Sequence, residues 1–486
     1  MSVSRLQRFL IVLSGCLLYF CLSFIYNGLR PLKITLVTLA SSAGAEIIPF
    51  LKICGVLPGA FLFMYLYTRL CKRLSRSQIF YVFLAIFLSY FFLFAIILYP
   101  FTQFFALNSL AQFLRIFLPS GFRGLIAMLE YWHLSLFYVL CEVWSSAVMF
   151  VLFWGFMNET SSMDDASRHY PFYNLFGNLA AAVSGYVIRE LSFLDFNFIF
   201  LSESSKIYCC YFVNIMLCIF VGIISLFLFS FLSKKRQIMQ HDENLKKEKK
   251  EEKKESYSIW QSLLLVLRSR YLFSLLILSI SYNAIFTLFD TLWSQSVKDY
   301  FASDQISIVR FLANVQILKG VLSTLLAFSV PVIIKYAGWK KTALVTPIFL
   351  LLSAISLFPL FYFKDHPDLV SYLFDFFGVE VIWILAYVGA LQNAISRGSK
   401  YSLYDTTKEM AFIPLPLEEK RKGKTVIDGV ASRFGKASGA ILFMTLLPIC
   451  GSLSGTIPYL IVVSFFVLIA WIYAINYLSR FMKKKS

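Results

Sequence analysis

The sequence predicts an all-α polytopic membrane protein of about twelve transmembrane helices in two sets of six, and three observations carry that prediction. The chain is 59% hydrophobic and only 15% charged, with a mean hydropathy of +0.72, whereas soluble domains run about 45–50% apolar and about 25% charged. Apolar runs long enough to cross a bilayer as a helix recur from end to end. One long charged run, SKKRQIMQHDENLKKEKKEEKKES from Ser233 to Ser256, divides them into two groups.

The first six runs lie near 8–30, 47–69, 79–99, 130–156, 170–193 and 207–232. Arg5, Arg8 and LSGC (Leu13 to Cys16) resemble a lipoprotein leader, but the stretch stays apolar to about Tyr26 and so reads as the first membrane helix. The segment 100–129 is expected to hold a short amphipathic helix. The second six runs lie near 271–296, 307–335, 341–363, 370–396, 424–449 and 455–479. The division is therefore an N-terminal six-helix bundle (1–232), a solvated charged linker (233–257) and a C-terminal six-helix bundle (258–486).

The net charge of +18 reads in so apolar a chain as loop charge that sets topology, and a nucleic-acid partner is not expected. Lys and Arg crowd the loops 68–78, the linker, 335–341, 397–424 and the KKKS tail, while alternate loops such as SLSG at 452–455 lack them. With an even span count these basic loops and both termini share the cytoplasmic side. The nine cysteines show no CxxC or Cys/His cluster, so neither a metal nor a disulfide framework is expected. Two six-span halves on a charged linker is the layout of a major-facilitator-type transporter, whose substrate sits near the midplane between rocking halves.

Charges inside membrane spans cost at least roughly 2.5–3.5 kcal/mol each and so mark pathways. On the first span Tyr19, Ser23, Tyr26, Arg30 and Lys33 share one helical face, with Pro31 expected to kink or end the helix. On the fourth, Tyr138, Glu142, Ser145 and Met149 do so, with the carboxylate deep in the run. The seventh carries Ser279, Asn283, Thr287, Asp290 and Ser294, beside Trp293. On the eleventh, Asp428, Ser432 and Lys436 step by four, with Arg433 adjacent and small residues that permit close helix packing. That stretch, DGVASRFGKASG, has five residues between Gly429 and Gly435 and Ala437 after the lysine, so it departs from the phosphate-binding P-loop. A lining with several fixed cations suits a polyanion, with the acids balancing them or carrying protons.

The stretches GAEIIPFLK (44–52), FYVLCEVWSSAVMFVLFWGFMNE (137–159), KYSLYDTTKEMAFIPL (400–415) and GKTVIDGVASRFGKASG (423–439) resemble the ATP/ADP translocase family of obligate intracellular bacteria and plastids. The resemblance implies four transport-critical intramembrane charges, Lys, Glu, Glu and Lys, which fall on Lys33, Glu142, Asp290 and Lys436; Asp290 is the shorter acid. RPLKI (30–34) stands where exchangers of the family typically read RDTKD, and Trp293-Ser294 where they have Trp-Lys. RSRYLF (268–273) and SYNAIFTLFDTLW (281–293) look more like the family's proton-coupled importers.

The resemblance implies a secondary transporter, not an enzyme, importing nucleotides (ATP, ADP or other NTP) across a bacterial inner membrane by alternating access, as proton-coupled import or exchange. Lys33, Arg433 and Lys436, supported by Arg30, would neutralise phosphates, Arg in two-pronged fashion and Lys as a point charge. Tyr26, Tyr131 and Trp293 are expected near the base, and Asn283 belongs with the substrate-binding set. Glu142, Asp290 and Asp428 would balance charge, the first two also taking the coupling proton in a symporter. No cofactor is expected, and a monomer in contact with membrane lipids is. Strict ATP/ADP exchange, a dinucleotide (NAD) cargo or another organic anion are the alternative readings; a hydrolase on 429–438 would need a preceding strand and a magnesium partner.

Overall fold

The computed structural model describes residues 5–40, 43–160, 163–193, 203–244, 259–302, 304–366, 368, 370–371, 375, 378–416, 419, 423–424, 426–427 and 431–485. Asp428 and most of the charged linker lie outside the described residues. Among those described, every regular element is helical. The membrane helices are α1 (Arg5–Leu39), α2 (Gly44–Leu70), α3 (Arg76–Leu98), α4 (Trp132–Asn158), α5 (Met163–Leu191) and α6 (Glu203–Asn244). The second set comprises α7 (Arg270–Tyr300), α8 and α9 (305–337 and 339–363), α10 (381–411), α11 (Ser432–Cys450) and α12 (Leu453–Lys485).

Lipid cannot satisfy free backbone groups, so the helix ends need partners of their own. Ser75 and Gln78 form a capping box at the start of α3. Ser269 caps α7, and the Asp304 carboxylate accepts from the Ile306 N–H at the start of α8. Gly338, at φ 75°, divides the run Gln305–Phe363 into α8 and α9, a conformation only glycine adopts freely.

Three boundaries differ from the sequence reading. The first span does not stop near residue 30: helix continues through Pro31 to Leu39, so Arg30 and Lys33 lie within it. Pro31 lacks the N–H that would pair with the Asn27 carbonyl, yet the helix continues, and the Thr35 hydroxyl donates to the carbonyl of Pro31 (2.9 Å) one turn on. The tenth span is shifted: it starts at Val381, and helix continues through a π-helical stretch, Lys400–Tyr404, to Ala411. Helix α6 also runs on into the charged segment as far as Asn244. The expected amphipathic helix is present as Asn108–Phe117, with Leu110, Phe113, Ile116 and Phe117 exposed.

Helices α1 and α7 hold equivalent places at the centre of their sets. The Trp144 indole of α4 donates to the Leu22 carbonyl of α1 (3.1 Å), and Gly177 of α5 admits Tyr19 of α1. In the second set Gly435 and Gly439 of α11 press against the Ile280 and Ala284 carbonyls of α7. The near-P-loop is thus a helix whose glycines let two backbones approach. Between the sets, Gly185 of α5 meets Ala313 and Ile317 of α8, and Gly320 of α8 meets Ala182.

Candidate functional site

The face of α1 carries two cations one turn apart, and they meet different partners. Lys33, 1% exposed, donates from Nζ to Glu142 Oε1 of α4 at 2.6 Å. The same ammonium lies over the rings of Tyr26 (5.6 Å) and Tyr138 (5.2 Å). Arg30 reaches across to α7, its Nη2 3.6 Å from Asp290 Oδ1, which also accepts from the Asn393 amide of α10 at 2.9 Å. The first pair closes within one set of helices; the second bridges the two.

Other cations gather around these pairs. Lys52 lies in a π-helical stretch of α2, and Lys319 of α8 is buried with its ammonium 5.7 Å from the centre of the Trp293 ring. Arg397 of α10 lies over Phe286 at 4.3 Å. Lys400 is 3.5 Å from Asp405 and 4.4 Å from the centre of the Tyr401 ring. Asp290 lies in the field of Arg30, Arg397, Lys52 and Lys319, and Glu142 in that of Lys33, Lys436 and Arg30. Lys436 is exposed to solvent and lies in the field of Glu142, Lys400 and Arg397. Among the described residues, Arg30, Lys33, Lys52, Lys319, Arg397, Lys400 and Lys436 therefore gather around Glu142, Asp290 and Asp405, a local surplus of positive charge that attracts a polyanion.

Several hydrogen bonds join the two sets of helices. The Ala45 N–H, beside Gly44 at φ 56°, donates to Gln295 Oε1 of α7 (2.8 Å). The Gln316 amide donates to Asn27 Oδ1 (2.6 Å), and Arg310 binds the Ser192 carbonyl (2.9 Å) and hydroxyl (3.1 Å). The first lies where α1 passes to α2, the third near the start of α8, and Asn27–Gln316 lies at the level of Arg30 and Lys319. Toward the end bearing the basic loops, Tyr401, Phe434 and Lys436 are exposed. A separate cavity of about 470 Å³ beside Ala43, Arg115 and Arg123 lies away from the charge cluster.

Of the residues singled out from sequence, Arg30, Lys33, Tyr26, Glu142, Asp290 and Lys436 come together here. Trp293 is buried beneath Lys319, and its indole N–H donates to the Ala386 carbonyl (2.9 Å). Asn283 is buried against Gly435, its amide donating to the Ser279 carbonyl (2.8 Å). Tyr131 heads α4 beside His133, about two turns from Tyr138. Asp428 and the side chain of Arg433 lie outside the described residues and atoms. Sequence reasoning did not single out Lys52, Lys319, Arg397 or Lys400. Lys319 stood alone in an apolar run and answered to the rule that found Glu142. Arg397 and Lys400 read from sequence as part of a basic loop.

The family model described as TLC ATP/ADP transporter matches residues 2–481. ADP,ATP carrier protein 2 of Chlamydia pneumoniae is 35% identical over 475 residues, covering 96% of this chain and 87% of that protein. The chloroplastic ADP,ATP carrier protein 1 of Arabidopsis thaliana is 34% identical over 460 residues, covering 94% and 72%. Among solved structures, the nucleoside transporter NupG is similar at a TM-score of 0.54 with 12% identity, covering 96% of this chain and 98% of that one. The D-xylose-proton symporter is similar at 0.56 with 12% identity, covering 97% of each. At these identities the likeness is one of fold: a major-facilitator-like helical bundle.

Proposed function

We propose, for a chain that belongs to the TLC ATP/ADP transporter family, that the chamber between the two helix sets carries nucleotides across a bacterial inner membrane by alternating access. The observation that carries this reading is the surplus of cations over carboxylates around Glu142 and Asp290. A nucleoside di- or triphosphate supplies the missing negative charge and leaves intact, because Lys436 sits on a helix without the P-loop's turn or hydroxyl. The basic loops set both termini and the open end of the chamber toward the cytoplasm.

Lys33, Arg30, Arg433 and Lys436 meet phosphate in this mechanism, and Tyr26 packs against the cargo beside Lys33. Glu142 and Asp290 hold the cations when the chamber is empty and yield them when a polyanion arrives. The loss of two carboxylates in RPLKI favours proton-coupled import over strict ATP/ADP exchange, with Asp290 as the site of the coupling proton. A proton there weakens its attraction to Arg30, and that pair spans the two sets.

Uptake into proteoliposomes tests both parts. Accumulation of labelled ATP is expected to saturate and to fall at least tenfold in Lys436→Ala. Normal uptake in that variant would remove the site assignment. Import into empty vesicles under an acid-outside gradient is the expected mode; a strict requirement for preloaded nucleotide would instead establish exchange.

A further inference from the structure

The cations of the chamber fall into two kinds. Arg30, Lys33 and Lys400 each have a carboxylate within ion-pair distance. Arg397 has none: among the described residues no hydrogen bond or ion pair holds its guanidinium, and its Nε is buried without a partner. What holds it is an aromatic face. The guanidinium lies 4.3 Å from the centre of the Phe286 ring on α7, a contact that restrains the flat group while leaving its N–H edge unused. Asp290 lies within its field but does not bond to it, so the side chain is drawn toward the chamber without being neutralised there.

The same stretch of α10 carries further unused hydrogen-bonding capacity. Gln392 Nε2, Asn393 Oδ1 and Ser396 Oγ are buried, and each lacks a partner. Gln392, Asn393, Ser396 and Arg397 lie within one side of the helix by their spacing, and Asn393 and Arg397 both turn toward α7 through Asp290 and Phe286. Buried polar groups in a folded protein are normally paired, because each unpaired one costs free energy. Such a row, beside an arginine to which no carboxylate is bonded among the described residues, leaves hydrogen-bonding capacity that a polar, anionic molecule entering the site would use.

We propose that Arg397 is a phosphate clamp of the transport site: its guanidinium, backed by Phe286, takes two oxygens of the cargo's phosphate chain, and the polar row on α10 contacts the groups next to it. This rests on the nucleotide reading above and deepens it. Because the clamp grips a chain of phosphates in place of the base, it discriminates by phosphate number. A lysine at this position keeps the charge but loses the paired N–H edge and the stacked geometry.

The test is calorimetric binding to the purified full-length protein, with ATP, AMP and inorganic pyrophosphate as probes. In Arg397→Lys the affinity for ATP and for pyrophosphate is expected to fall about tenfold to a hundredfold. The affinity for AMP falls less, so the ATP-to-AMP affinity ratio is compressed. Phe286→Leu should move that ratio in the same direction by a smaller factor. A purely structural role for Arg397 would instead lower the unliganded melting temperature and weaken all probes alike, leaving the ratio unchanged. That result overturns the proposal, as does wild-type affinity in Arg397→Lys. If the wild type binds pyrophosphate through Arg397 but binds no nucleotide, the clamp stands and the nucleotide reading fails. Binding of neither probe by the wild type refutes both.

Discussion

Lys33–Glu142 and Arg30–Asp290 lie one turn apart along α1, yet they are built for different work. The Lys33 pair is short, at 2.6 Å, its ammonium is 1% exposed, and both partners belong to the first six helices. The Arg30 pair is longer, at 3.6 Å, and its acid sits on α7 in the second set. A rocking motion of one set against the other leaves the first pair whole and pulls the second apart. The neighbours of the second pair share that exposure to motion, since Ala45–Gln295, Asn27–Gln316 and Ser192–Arg310 all cross the same seam. In the proposed mechanism the first pair stays within its own set in every state, and the second is part of a latch between the sets.

Three experiments can break or sharpen that contrast. The largest effect is expected from closing the latch covalently. In Ala45→Cys combined with Gln295→Cys, an oxidant should abolish transport and a reductant restore it, because the main-chain N–H of Ala45 already touches the side chain of Gln295. Full activity with the cross-link formed would show that this seam does not open. Next in size is the loss of the internal pair. Glu142→Gln strands the buried Lys33 ammonium and should lower the stability of the purified protein by about 3 kcal/mol, read as a clear drop in melting temperature. An unchanged melting temperature would remove the organising role. The smallest change in stability is expected for Asp290→Asn, at about 1 kcal/mol or less, since Asn393 can still bond the new amide. Its signature lies in conformation: a cysteine placed at Gln295 should label faster with a membrane-impermeant thiol reagent added on the side where α1 passes to α2. If Asp290→Asn instead destabilised the protein as much as Glu142→Gln, the two pairs would not differ in kind.

Much of this was legible in the sequence, for identifiable reasons. Helix and membrane were plain because an apolar run of spanning length has few other stable states. Arg30, Lys33, Glu142 and Asp290 stood out because an ion in such a run is costly enough to need a purpose. Arg397 and Lys400 escaped for the reverse reason. They stand among other charged residues, so hydropathy ended the tenth span before them, whereas the helix continues through both to Ala411. Lys52 follows a short apolar run near a helix start and does not stand out by hydropathy; only the fold brings it into the field of Asp290. Trp293 reads equally well from sequence as a ring for a base or as packing, and its burial under Lys319 depends on α8, which sequence spacing does not relate to α7.

That the chain forms membrane-spanning helices, and that a few of them carry charges too costly to be idle, follows from the residues alone. Both are properties of a segment and its solvent, and they can be summed residue by residue. Which cation meets which acid was decided only by the tertiary structure. Lys33 and Glu142 are 109 residues apart in the chain, and electrostatic pairing depends on distance in space, which helix packing alone sets. The same packing sets Arg397 over the Phe286 ring with no carboxylate bonded to it among the described residues.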